Sequence, residues 1–93
     1  MYVGLLSLEL YLPEAYSLKS KRFILKSLKD RIKNKFNVSV AEVDYMDLWQ
    51  RSVIGIACVG NETKIINQTL DKILALVQNT ASIDFIDSKM EIL

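Results

Sequence analysis

Glu42, Asp44 and Asp47 are the acidic cluster in the middle of this 93-residue chain. On a regular strand, Glu42 and Asp44 would share a face about 6–7 Å apart. Paired carboxylates at that spacing can hold Mg²⁺ or do acid–base work. No nucleophile, glycine-rich phosphate loop or third ligand accompanies them at a recognisable spacing. Gly4, Gly55 and Gly60 stand singly and form neither a G-x-G-x-x-G run nor a P-loop. The chain has no histidine, which removes His-based triads, imidazole metal ligands and the commonest base near neutral pH. Its one cysteine, Cys58, lies in "VIGIACVG" and reads as a small buried apolar residue rather than a reactive thiol. The expectation is a protein that is not an enzyme, with no catalytic residue, metal or small-molecule cofactor. Glu42 and Asp47 then read as residues that contact a partner or the basic segment.

That basic segment is the stronger signal. Residues 19–35 hold eight of the twelve Lys and Arg residues against one acid, Asp30. The segment carries +7, while the other four cations and ten acids leave −6, although the whole chain is only +1. Leu18, Leu25, Leu28, Ile32 and Phe36 recur at helical spacing, within an arc about 80 degrees wide. Arg22, Lys26, Lys29 and Lys33 make a stripe beside that arc. Arg31 and Lys35 lie on its other side, and Phe23, Asp30 and Asn34 point outward. Two readings follow. The cationic side chains cover the flanks of the apolar stripe with their stems and stay solvated. Alternatively, Lys19, Lys21, Arg22, Lys26, Lys29 and Lys33 contact phosphates without reading bases, giving salt-sensitive nucleic-acid binding. Lys21 falls inside the apolar arc. Either it overhangs the sheet edge, or a carboxylate such as Glu14 or Glu42 holds its ammonium.

The elements that must position these residues are legible from their periods. "VGLLSLELYL" (3–12) reads as a central strand ended by Pro13. Ser17 is the expected N-cap of the basic helix and Asn37 its exit. "VSVAEVDYM" alternates as a strand, with Val38, Val40, Glu42 and Asp44 on one face. After the short connection "MDLWQR", "RSVIGIACV" gives another strand, so the two should pair antiparallel. A second helix spans about 63–78, with Ile66, Leu70, Ile73 and Val77 as its stripe and Asn61 or Thr63 as its cap. "SIDFIDSKMEIL" reads as a charged edge strand. The order β-α-β-β-α-β, with right-handed crossovers, predicts one α+β domain over residues 1–93. Its form is a ferredoxin-like sandwich: a four-stranded antiparallel sheet with both helices on one face. An unrelated α+β sandwich is the alternative.

The other sheet face poses a separate question. The first strand is apolar on both sides, and so is the third, where Val53, Ala57 and Val59 oppose Ile54, Ile56 and Cys58. One set must stay largely uncovered in a monomer, which marks Leu5 and Val53 as interaction residues and suggests a homodimer. Trp49 either caps the core end or anchors a contact. The third strand has no aromatic residue and the first offers only Tyr2 and Tyr11 near its ends, so bases should not stack on the central strands. No apolar run is long enough to cross a bilayer, and the N-terminus lacks the basic start of a signal peptide. A cytoplasmic location is expected.

The segments "SLKSKR" (17–22), "KFNVSVAEVD" (35–44) and "DLWQRSVIGIACVG" (47–60) resemble the YlxP-like family of small bacterial proteins, over essentially the whole chain. The resemblance implies a ferredoxin-like fold and no established reaction or cofactor. Its pattern marks Ser17, Leu18, Lys19, Lys21 and Arg22 at the helix start. It also marks Phe36, Asn37, Val38, Ala41, Glu42, Asp47 and Trp49 along the second strand and turn. Some members carry a polar or histidine residue where the first strand meets its loop; this chain has Tyr11. Members often lie genetically beside translation initiation and ribosome-maturation factors, which implies a role near the ribosome; with the basic helix, the expected partner is ribosomal RNA or the ribosome.

Overall fold

The computed structural model describes residues 1–93. Strand β1 (Tyr2–Tyr11) leads through a short loop to helix α1 (Leu18–Lys35), followed by β2 (Ser39–Asp44) and β3 (Arg51–Gly60). Helix α2 (Thr63–Gln78) and strand β4 (Asp84–Ile92) complete the chain. The strands lie in the order β2-β3-β1-β4, and every neighbouring pair is antiparallel. This is the ferredoxin-like α+β arrangement expected from the element order.

Alternation decides which face the helices cover. Leu6, Leu8 and Leu10 of β1, with Ile54, Ile56 and Cys58 of β3, are buried in one core with Leu25, Leu28 and Ile32 of α1 and Ile66, Leu70, Ile73 and Val77 of α2. Both helices therefore pack on the face carrying the even-numbered residues of the central strands. No helix is long and apolar enough to cross a membrane.

The helix starts differ. Ser17 Oγ accepts from the Ser20 backbone N–H at 3.0 Å, and Ser20 Oγ accepts in return from Ser17 N–H at 3.2 Å. This reciprocal box satisfies donors that the first turn otherwise leaves unpaired. Helix α2 starts at Glu62, which makes no capping side-chain bond, so neither Asn61 nor Thr63 fills the expected role.

The expected carboxylate pair does not form either. The β2–β3 register runs Glu42↔Ile54 and then Asp44↔Val53, so Val43 is an extra residue in the ladder. A bulge breaks the period of two. Glu42 stays on the helix face with Ile54, whereas Asp44 turns to the open face with Val53.

Gly4 marks where α2 comes closest to the sheet. A Cβ there would lie 2.3 Å from Ile66 Cγ2 and 3.0 Å from Leu70 Cδ1. Because Ile66 Cγ2 is carried on a branched carbon close to the helix backbone, it cannot simply swing aside. Gly4→Ala should therefore destabilise the fold by about 1–3 kcal/mol through overpacking. Urea denaturation checks this, and an unchanged midpoint would mean that α2 is free to shift outward.

Candidate functional site

The solvent side of α1 carries the charge. Lys19, Arg22, Lys26, Arg31, Lys33 and Lys35 are exposed, and Lys29 is half-buried. Lys19, Lys26 and Lys33 recur every seven residues, so each step advances about 10.5 Å along one side of the helix. Arg22 and Lys29 fall between them, and the whole row runs about 21 Å. One acid interrupts it. Asp30 Oδ2 accepts from Lys26 Nζ at 2.8 Å. That hydrogen bond, reinforced by the charges of Lys26, Lys33 and Lys29 against an opposing desolvation, holds the Asp30 carboxyl below its ordinary range. A lowered carboxylate pKa means the pair is intact at neutral pH and is lost only as pH falls through that depressed value. Arg31 is drawn toward the end of α2, where its Nη1 donates to Thr80 Oγ1 at 3.2 Å.

Lys21 does not belong to this surface. It is 1% exposed, and its Nζ lies 2.8 Å from Glu42 Oε2 and donates to the Tyr45 carbonyl at 2.7 Å. A buried ammonium is costly unless paired and hydrogen-bonded, and both conditions are met. Of the six candidate phosphate contacts, Lys19, Arg22, Lys26, Lys29 and Lys33 remain at or near the surface, while Lys21 faces inward. Glu42 likewise is engaged from inside, since Ser52 Oγ also donates to its Oε2 at 2.7 Å. Ser52 is fully buried. The three side chains join α1, β2 and β3.

The same contacts shape the β2–β3 turn. Tyr45 takes the left-handed conformation at φ 59, which a non-glycine residue adopts only when surrounding bonds hold it there. Its N–H donates to Asp44 Oδ1 at 2.7 Å, and its carbonyl accepts from Leu48 N–H at 3.0 Å as well as from Lys21. The turn projects Met46, Asp47, Leu48 and Trp49 into solvent. Trp49 is 54% exposed and so does not close the core end.

The odd-numbered residues of β1 and β3 form the open sheet face. Leu5 is at the margin of exposure and Val53 is half-buried. Leu5, Ala41, Val43, Gly55 and Ala57 floor a shallow trough of about 750 Å³, with Lys89 and Glu91 of β4 at its rim. Beside it, Arg51 forms an ion pair with Glu9 and sits 5.6 Å above the Tyr45 ring. The uncovered apolar surface runs from this trough to Val3 and Val59 at the far end of the central strands, with charged residues of β4 along one side. No group of three or more Cys, Asp or Glu side chains is placed to hold a metal ion.

Residues 3–90 match the family described as protein of unknown function (DUF503). The chain belongs to this family. An uncharacterized protein of Bacillus subtilis (strain 168), YlxP, is 38% identical over 82 residues, covering 88% of this chain and 89% of that protein. The family match takes in α1, Lys21, Glu42, Ser52 and the β2–β3 turn of this DUF503 member.

Two partners of the site were not anticipated. Ser52 could have been suspected, because it is the one hydroxyl in a row otherwise made of Ile54, Ile56 and Cys58. The Arg51–Glu9–Tyr45 group had no local signal, since it depends on strand register and on the bulge. If the Lys21 pair stabilises the turn as described, Lys21→Met should cost about 3 kcal/mol by leaving Glu42 unpaired. Adding Glu42→Leu should recover most of that loss. Chemical denaturation of the parent and the two variants tests the pair, and a single variant as stable as the parent would remove it as a structural element.

Proposed function

We propose that this protein is a non-enzymatic cytoplasmic accessory factor that binds ribosomal RNA, or the ribosome, through phosphates held by the outer face of α1. One observation supports this above the others: the cations are kept together at a cost. Arg22–Lys26, Lys29–Lys33 and Arg31–Lys35 are like charges four residues apart, and each such pair disfavours the helix by about 0.2–0.5 kcal/mol. Lys19 and Arg22 also stand at the positive end of the helix dipole, where an acid would be favoured, and the first turn contains none. Solubility alone would be met by interspersed signs. A polyanion lying along the row would offset the Arg22–Lys26 and Lys29–Lys33 repulsions and the charge placed at the helix start.

Sedimenting the purified protein with ribosomes over a salt series tests this reading. Binding should be strong near 50 mM salt and largely abolished by about 200 mM, as counterion release requires. The Lys19→Glu, Lys33→Glu double variant should bind more weakly, with a salt slope reduced by about one for each phosphate that the variant no longer neutralises. No co-sedimentation at any salt would sink the proposal.

A second reading rests on the open-face trough. Its small apolar floor, with Lys89 and Glu91 as opposite charges on one rim, suits an isologous contact with a second copy of the chain. Light scattering across a dilution series should then show a dimer that Leu5→Lys converts to monomer and that added salt does not dissociate. A monomer at all concentrations would dismiss it. The two readings are compatible, because a dimer through this face would leave both α1 helices accessible.

A further inference from the structure

Two aromatic rings lie uncovered at the N-terminal end of the cationic row. Tyr16, in the loop before α1, and Phe23, in its second turn, are each 78% exposed, more than any other aromatic residue of the chain. Both line one depression of about 480 Å³, together with Lys19, Ile24 and Glu14. The loop there is not free to wander. Tyr16 N–H donates to Ser20 Oγ at 3.0 Å, so the residue is tied to the same side chain that closes the capping box of α1. One exposed ring on a surface needs no explanation. Two rings facing one depression, on a tethered loop and a rigid helix, make a built apolar surface.

Its surroundings narrow the chemistry of what it receives. Lys19 and Lys26 stand four residues before and three residues after Phe23, the spacings that place side chains beside it on a helix. Arg22 is exposed on the same turn, Glu14 lies at the margin, and Asp30, which pairs with Lys26 and which a phosphate would have to displace, lines a second depression beside Phe23. Exposed aromatic surface flanked by ammonium groups complements a molecule that carries aromatic faces on an anionic thread. Paired bases hide their faces within a duplex, so only an unpaired base can offer one.

We infer that Tyr16 and Phe23 receive an unpaired RNA base stacked on their rings, while Lys19 and Lys26 hold the phosphates on either side of it. This rests on the phosphate-binding reading of α1 and adds a preference to it: RNA with a bulge or single-stranded loop over uninterrupted duplex. The sheet plays no part in the stacking, consistent with central strands that present no aromatic platform.

The test compares two fluorescein-labelled RNAs by anisotropy at about 50 mM salt, where phosphate binding is strong. One is a blunt duplex and the other is the same duplex with a short bulge. The bulged RNA should bind more tightly. Phe23→Ala should weaken that binding by about tenfold and leave the blunt duplex unchanged, with Phe23→Trp retaining the preference. Tyr16→Ala should act in the same direction. The salt slope should not move in any of these variants, because no cation is removed. Phe23 is exposed, so an unchanged melting curve separates a stacking defect from a folding defect. Equal affinity for the two RNAs, or a Phe23→Ala effect shared equally by both, overturns the stacking while leaving phosphate binding intact. Failure to bind either RNA at any salt overturns both.

Discussion

The Lys21 ammonium, withdrawn from the cationic side of α1 and held between the Glu42 carboxylate and the Tyr45 carbonyl, is the contact on which the rest of the arrangement turns. It acts together with the buried Leu25, Leu28 and Ile32 in setting the rotation of α1 about its own axis. With Lys21, Leu25, Leu28 and Ile32 pointing inward, Lys19, Arg22, Lys26 and Lys33 have no direction left but outward. It also reaches past the helix–sheet contact to the backbone of the β2–β3 turn, where Tyr45 adopts a conformation that needs external support. An apolar residue at this position could pack as well but could not specify that turn. A charge that must find Glu42 and Tyr45 together rejects other rotations of α1, because each alternative leaves it buried and unpaired.

The charge segregation follows from the same placement. A helix bearing so many like charges is a poor helix in isolation, and its stability comes from the apolar face it buries. The capping box at Ser17 and Ser20 supports its start without any acid, and so leaves the positive potential at that end undiminished. At the far end, Lys33 and Lys35 lie where cations suit the helix dipole. The structure thus stabilises α1 by means that do not neutralise its surface, and Asp30 alone offsets part of the charge.

Much of the fold was legible in the residues. Two continuous apolar runs, one alternating stretch and a charged tail marked the four strands, helical spacing marked the two helices, Pro13 closed β1, and Ser17 announced α1. Three things were not. Asp44 lost its alignment with Glu42 because a bulge at Val43 adds one residue to β2, and a bulge is defined only by the pairing of two strands. The start of α2 carries no capping side chain, although two suitable residues stand beside it; packing of Ile66 and Leu70 against the sheet outweighs the local preference. Tyr16 and Phe23 sit far enough apart in the chain that only the course of the loop brings them to one depression.

By itself, the sequence determined the element types, the antiparallel α+β topology, the residues of the two helical stripes and the presence of a cationic row on α1. These depend on local periodicity and on short-range backbone chemistry, which adjacent residues carry between them. Only the tertiary structure decided that Lys21 turns inward to Glu42, that Ser52 completes that pair, and that Asp44, Arg51 and Glu9 share the uncovered sheet face with its apolar residues. Each of these depends on the register in which the strands pair and on how the helices seat against them. That choice is made by burying the whole apolar surface at once, so no single segment encodes it.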